Sequence, residues 1–151
     1  MLIGVPKEIK SDEYRIGLTP ESVEKLTQSG HEVMIEQNAG LGIGKDNKAY
    51  EDAGAEIVPT REEIFQRAEM IVKVKEPQLD ECALLRSDQI LFTYLHLAPD
   101  PEQVKALLAS GCRAIAYESV KADDGSYPLL TPMSEVAGRM AVQAGATCLE
   151  K

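Results

Sequence analysis

Three cysteines in 151 residues, Cys82, Cys112 and Cys148, with no C-x-x-C pair, leave no disulfide framework and no zinc site to build. A scattered, odd set fits buried free thiols in a reducing compartment, so the cytoplasm is the expected location. No apolar run approaches the roughly 20 residues that a membrane span needs. The opening residues 1–5 carry no basic leader and no small-residue cleavage site, so no secretory signal is expected. Sixteen Lys and Arg stand against 25 Asp and Glu, a net charge of −9, and no basic cluster interrupts the acidity. Such a surface repels phosphate backbones and argues against nucleic acid as a partner. Internal repeats and low-complexity stretches are missing too.

What is present is an ordinary globular balance, 44% hydrophobic and 27% charged, in a chain long enough for one buried core. Short apolar runs predict strands over 2–5, 32–36, 55–58, 69–75, 89–96 and 112–118. Helix signals stand between them. Thr19 and Pro20 open a helix that turns Val23 and Leu26 inward and closes near Gly30. Asp46 caps a second helix bearing Tyr50 and Ala53, closed by Gly54. Further helices are expected over 62–67 and around 82–85. Asp100 and Pro101 begin another, with Val104, Leu107 and Leu108 inward and Gly111 at its end. A long last helix opens at Pro132 and, having no C-cap signal, is expected to run on through Lys151 as if the polypeptide continued. Strands alternating with helices imply right-handed βαβ units and a mostly parallel sheet covered on both faces, the α/β class.

Ligands of such sheets bind beyond the carboxyl ends of the strands. Arg15 lies in the loop after the first strand. Lys75, His96 and Glu118 close the fourth, fifth and sixth. A guanidinium, an ammonium, an imidazole and a carboxylate at one edge suit a small 2-oxo or 2-amino acid. Arg15 can clamp a carboxylate bidentately, Lys75 can polarise a carbonyl oxygen, and an imidazole such as His96 moves protons near neutral pH. No metal cage and no activated nucleophile accompany them, which favours proton and hydride chemistry. Each also has a plainer reading: Arg15 as a solvated loop residue, Lys75 and Lys73 as strand lysines reaching water, His96 as a structural histidine. Glu118 is the weakest of the four, and His31 looks like a surface residue.

The glycine loop at 38–44 has G-x-G-x-G spacing, neither the dinucleotide fingerprint nor a P-loop, and is read as a tight turn. Small residues Ala137, Gly138, Ala141 and Gly145 in the last helix suit close packing. Ser134, near that helix's start, is a candidate anion contact, with capping by Thr131 or Ser134 as the competing explanation.

GVPKEIK at 4–10, RIGLTP at 15–20, KVKEP at 73–77, TYLHLA at 93–98 and LTPMSEVAG at 130–138, in this order, resemble the bacterial alanine dehydrogenases. The resemblance runs the length of the chain. It implies a Rossmann-like or flavodoxin-like substrate domain over 1–130, an interdomain helix beginning at 131–151, and a dinucleotide-binding domain absent from this chain. It also implies reversible NAD-dependent oxidative deamination of L-alanine to pyruvate and ammonium, with NAD bound mainly by residues beyond Lys151, and a homo-hexamer. By the same resemblance Arg15 is the substrate-carboxylate clamp and Lys75 binds the substrate's reacting end. His96 is the acid/base group, Met133 lies beside the substrate, and Ser134 touches the cofactor. On this reading 151 residues would neither hold NAD tightly nor turn over alanine alone. The related proton-translocating transhydrogenase α subunit, a saccharopine-dehydrogenase relative and a standalone module for small carboxylates are the alternatives. The lysine of KVKEP and the histidine of TYLHLA favour the alanine branch.

Overall fold

The structure, a computed structural model, describes residues 1–150. Six strands, β1 (Leu2–Val5), β2 (Glu32–Glu36), β3 (Glu56–Val58), β4 (Met70–Val72), β5 (Ile90–Thr93) and β6 (Arg113–Ala116), form one sheet in the order β3-β2-β1-β4-β5-β6. The pairs β1–β2, β1–β4, β2–β3 and β4–β5 are all parallel. This is the Rossmann order, not the flavodoxin one, and it reverses direction between β1 and β4. The helices are α1 (Pro20–Gln28), α2 (Asn47–Asp52), α3 (Arg61–Arg67), α4 (Leu79–Cys82), α5 (Pro101–Ser110) and α6 (Thr131–Leu149). Two compact units result, Met1–Ile115 and Ala116–Lys151.

Strand alternation distributes the first unit's core over both faces of the sheet. Ile3 pairs with Val33 and Val5 with Ile35, and this row joins Val23 of α1 and Tyr50 of α2 in one buried cluster. Gly4, Met34, Ile71 and Leu91 form the opposite row, where Ile64 and Ala68 close directly over Gly4. Fully buried aliphatic side chains of this kind each contribute about 1.5–3 kcal/mol relative to exposure. The end of α3 is tied down from a distance. Gln89 Nε2 donates to the carbonyls of Phe65 (2.6 Å) and Ala68 (2.8 Å), and Arg86 donates to that of Gln66 (2.8 Å).

Several local expectations are corrected. Strand pairing stops earlier than the apolar runs suggest, at Val72 and Thr93. Two ladder bonds nonetheless carry on beyond it, from Lys73 N to Phe92 O and from Tyr94 N to Val74 O. The fourth helix covers Leu79–Cys82 and not 82–85, because the Gln78 N–H donates to Glu81 Oε2 and fixes its start. Thr19 makes no side-chain cap; its hydroxyl meets that of Ser22, and Pro20 sets the entry. Leu108 is 77% exposed, since α5 turns Gln103 and Leu107 inward, four residues apart on one face. Cys82 is buried, but Cys112 is half-buried and Cys148 exposed. His31 is half-buried, with Nδ1 shut off from both solvent and partners.

In the second unit, α6 ends at Leu149, where Glu150 turns extended and its N–H closes on Thr147 O; the expected continuation to Lys151 lies outside the described residues. Its N-cap is Leu130, with no side-chain cap from Thr131 or Ser134. A Cβ built at Gly138 or Gly145 meets nothing within 4 Å, so the packing expected of these glycines has no neighbour among the described residues. No helix among the described residues is long and apolar enough to cross a membrane.

Candidate active site

β1, β4 and β5 lie side by side and parallel, so the loops that follow them leave the same edge of the sheet, around the point where strand order reverses. Arg15 belongs to the first of these loops, Lys75 to the second and His96 to the third. That edge is also where backbone strain collects. Asp12 (φ 62°), Asn38 (φ 63°) and His96 (φ 45°) are the non-glycine residues with positive φ among the described residues. They stand in the loops after β1, β2 and β5. Left-handed backbone costs a Cβ-bearing residue about 1–2 kcal/mol and persists where surrounding structure imposes it, a feature that gathers at functional sites.

The Arg15 guanidinium is already engaged. Its Nε donates to Glu13 Oε1 (2.8 Å) and its Nη2 to Oε2 (2.6 Å), the fork-to-fork geometry by which arginine grips any carboxylate. Glu13 is the better sheltered partner, with its side chain 6% exposed against 44% for Arg15. The hydrogen bond from Arg15 holds the Glu13 carboxyl below the usual glutamate range, and the charge of Lys75 adds to the effect. The same bond raises Arg15, with smaller contributions from Tyr94 and Glu8. The loops after β1, β4 and β5 therefore lie within each other's electrostatic reach. A cleft of about 300 Å³ opens beside Arg15, lined by Lys7, Glu8, Lys10, Asp12 and Glu13 among others. Lys75 and His96 do not line this cleft.

Lys75 is half-buried and its backbone is pinned on both sides: its N–H donates to Glu8 Oε1 (3.3 Å) and its carbonyl accepts from Thr93 Oγ1 (2.9 Å). Lys73, read from strand parity as a lysine reaching water, is instead wholly buried. Its Nζ lies 3.0 Å from Glu8 Oε2 and 2.8 Å from Glu81 Oε1, and all three side chains are at most 2% exposed. Period-two reading places Lys73 and Lys75 together but cannot see which carboxylates come to meet them. His96 is exposed and turns the chain away from β5. Glu118, expected at a strand end, lies in a 3₁₀ turn (Tyr117–Ser119) of the second unit. Met133 and Ser134 occupy the first turn of α6 in that unit, where the Ser134 N–H donates to Leu130 O. Glu8, Glu13 and Thr93 had no role in the sequence reading and Lys73 had the wrong one, although Glu8, Lys73 and Thr93 stand inside its motifs.

The glycine turn packs against the Arg15 loop, and its residues Asn38, Ala39, Leu41 and Gly42 share the lining of the Arg15 cleft. A Cβ on Gly42 would land on the Tyr14 carbonyl, and one on Gly17 would come within 2.7 Å of Val72 O. These glycines let the Arg15 loop lie flat between the glycine turn and β4.

A second carboxylate at the same edge is poised differently. Burial raises the Glu36 carboxyl, opposed by the Lys7 N–H that donates to its Oε2 (2.8 Å). A carboxyl raised on folding stabilises below its unfolded value, and that stability is lost as pH rises through the folded value. Glu36→Gln keeps an acceptor for Lys7 without the charge. It is expected to raise the thermal midpoint near pH 7 and to leave it unchanged near pH 3.5. A lower midpoint at pH 7 with none lost at pH 3.5 would show that the ionised form is the favoured one.

A sequence family described as "Alanine dehydrogenase/PNT, N-terminal domain" matches residues 4–137. Alanine dehydrogenase of Methanococcus maripaludis is 57% identical over 151 residues, the whole of this chain and 40% of that one. Alanine dehydrogenase of Bacillus subtilis is 55% identical over 151 residues, covering 39% of its own length. A solved L-alanine dehydrogenase superposes with a TM-score of 0.90 at 53% identity, over 99% of this chain and 41% of that one. A transhydrogenase from Sinorhizobium meliloti is more distant, with a TM-score of 0.73 at 29% identity over 78% of this chain and 34% of that one. The chain thus spans about 40% of the length of the alanine dehydrogenases it matches.

Proposed function

Because the chain belongs to the alanine dehydrogenase/PNT N-terminal domain family, we propose that it is the substrate-holding part of an L-alanine dehydrogenase, which interconverts L-alanine with pyruvate and ammonium using NAD. The observation that carries this reading is the meeting of the Arg15, Lys75 and His96 loops at the carboxyl edge of β1, β4 and β5, around the reversal of strand order. It is supported by relatives more than 50% identical over the whole chain that bear the name.

Arg15 takes the substrate carboxylate. In the unliganded arrangement Glu13 sits in that fork, so an entering carboxylate displaces Glu13 or shares the guanidinium with it. This exchange keeps an arginine from standing unpaired between turnovers, and it makes affinity a difference between two carboxylates. Lys75 faces the reacting oxygen and stabilises the negative charge that develops when water adds at the substrate's Cα. His96 moves the protons of the added water and the departing amine. Resemblance to the alanine dehydrogenases supports Met133 as a substrate contact and Ser134 as a contact of the nicotinamide nucleotide, which would be held mainly by protein outside these residues. Glu118 has a secondary place at most. The free thiols suit the cytoplasm, and family resemblance supports a homo-hexamer.

Incubating the complete gene product with NAD and L-alanine is expected to yield NADH in proportion to pyruvate. Exchange between NADH and NADP without any dependence on alanine would assign it to the transhydrogenase side of the family. Tight pyruvate binding with neither activity would make it a small-carboxylate module.

A further inference from the structure

We infer that Glu8 is a positioning residue for Lys75, acting through the backbone of the chain segment that carries it. The inference rests on reading Lys75 as the group that meets the substrate's reacting oxygen. Glu8 stands three residues beyond β1 and its carboxylate is buried. One oxygen, Oε1, accepts from the N–H of Val74 (2.6 Å) and of Lys75 (3.3 Å). The other, Oε2, accepts from Lys73 Nζ (3.0 Å), and Lys73 is matched on its far side by Glu81 (2.8 Å). Lys75 is held from the opposite direction by Thr93, whose buried hydroxyl donates to its carbonyl (2.9 Å).

The arrangement answers a geometric problem. Regular pairing ends at Val72, three residues short of Lys75, so the sheet alone does not fix where that lysine leaves the edge. Two donors in a row, Val74 N and Lys75 N, would be left without ladder partners there, and a buried donor needs an acceptor. A carboxylate is the one side chain with acceptors enough for both amides on one oxygen and an ammonium on the other. Its charge would be costly to bury alone, and Lys73 neutralises it. Glu81 completes the pairing, but its backbone donor is the Gln78 N–H (2.8 Å) and not an amide of residues 73–75. Glu8 and Glu81 are thus alike in burial and share Lys73 as counter-ion, but Glu81 Oε1 pairs with it without a hydrogen bond, and only Glu8 holds the Lys75 main chain.

That difference gives the test, made on the complete gene product with pyruvate, ammonium and NADH. Glu8→Gln and Glu81→Gln each remove one buried negative charge from Lys73, and both are expected to lower the thermal midpoint. A carboxamide has one acceptor oxygen where the carboxylate has two, so Glu8→Gln shorts either the ammonium or the two amides. It is expected to lower kcat/KM for pyruvate between about 10-fold and 100-fold, the scale on which a misplaced group costs rate. Glu81→Gln is expected to leave it within about twofold. Thr93→Val, nearly isosteric, loosens the opposite side and is expected to lower kcat/KM about threefold or more, and it decides the matter should Glu8→Gln not fold. Equal kcat/KM in the Glu8 and Glu81 variants, or an unaltered value in Thr93→Val, would reduce the network to a structural one and overturn the inference. Lys75→Ala is the control on the reading beneath it. If that variant keeps full turnover, Lys75 is not at the reacting centre and the assignment of the site fails; if it is inactive, the Glu8 result stands by itself.

Discussion

Replacing His96 with Asn in the complete gene product is expected to lower alanine turnover by about 10²–10⁴-fold, the range that a positioned general acid–base supplies. Pyruvate affinity is expected to change by less than about threefold, because Arg15 and Lys75, the proposed carboxylate clamp and oxygen-facing ammonium, lie on other loops. Asn is chosen for a reason visible in the backbone. His96 holds φ at 45°, and among residues with a Cβ, Asn tolerates that left-handed conformation best. The variant therefore removes the imidazole and leaves the turn that ends β5 intact, whereas Ala would confound loss of the ring with added backbone strain. Steady-state rates with alanine and calorimetric titration with pyruvate give the two numbers. Turnover within a few-fold of the parent would take His96 out of proton transfer and make it a turn residue. A fall in affinity as large as the fall in rate would make it a binding residue.

How far this edge could be read from the sequence depends on the distance over which each feature is decided. The strand cores, Val5, Val33, Ile35 and Ile71, announce themselves by local apolar runs, and the alternation with helices is enough to predict parallel pairing on both faces. Loops after consecutive strands of a parallel sheet leave one edge, so Arg15, Lys75 and His96 could be placed together before any coordinates. Their immediate partners could not. Glu13 is two residues from Arg15, yet nothing in the spacing says that the guanidinium turns back upon it. Glu8 reaches Lys73 across 65 residues, and Gln89 and Arg86 reach the end of α3 across about 20. Tertiary contacts of that span decide which polar groups are buried, and periodicity is silent about them. Leu108 failed for a related reason: an apolar residue on a helix is inward only if the neighbouring face arrives, and Gln103, finding the Leu95 carbonyl, took the inner position with Leu107.

Lys73→Met is expected to lower unfolding free energy by about 3–5 kcal/mol, the usual loss when one member of a buried ion group is removed and its partners stay behind. Glu8 and Glu81 would then keep two carboxylates within a few ångströms, both buried, with no cation between them. Their remaining bonds, from the amides of Val74, Lys75 and Gln78, reach only part of their acceptor capacity. Against a typical total of about 5–15 kcal/mol for a domain, this removes between about a fifth and nearly all of the stability. The exposed pairs give the contrast. Lys48 and Asp52 are 70% and 64% exposed, and Lys48→Met is expected to leave the urea midpoint essentially unchanged. The double variant Lys73→Met/Glu81→Gln should be less damaging than the two single losses added together, since removing one stranded charge relieves part of what removing the ammonium created. Urea unfolding of the four proteins of this cycle measures that relief directly. A cost below about 1 kcal/mol for Lys73→Met would mean that the two carboxylates do without the ammonium, and that the buried group is not what fixes the end of β4.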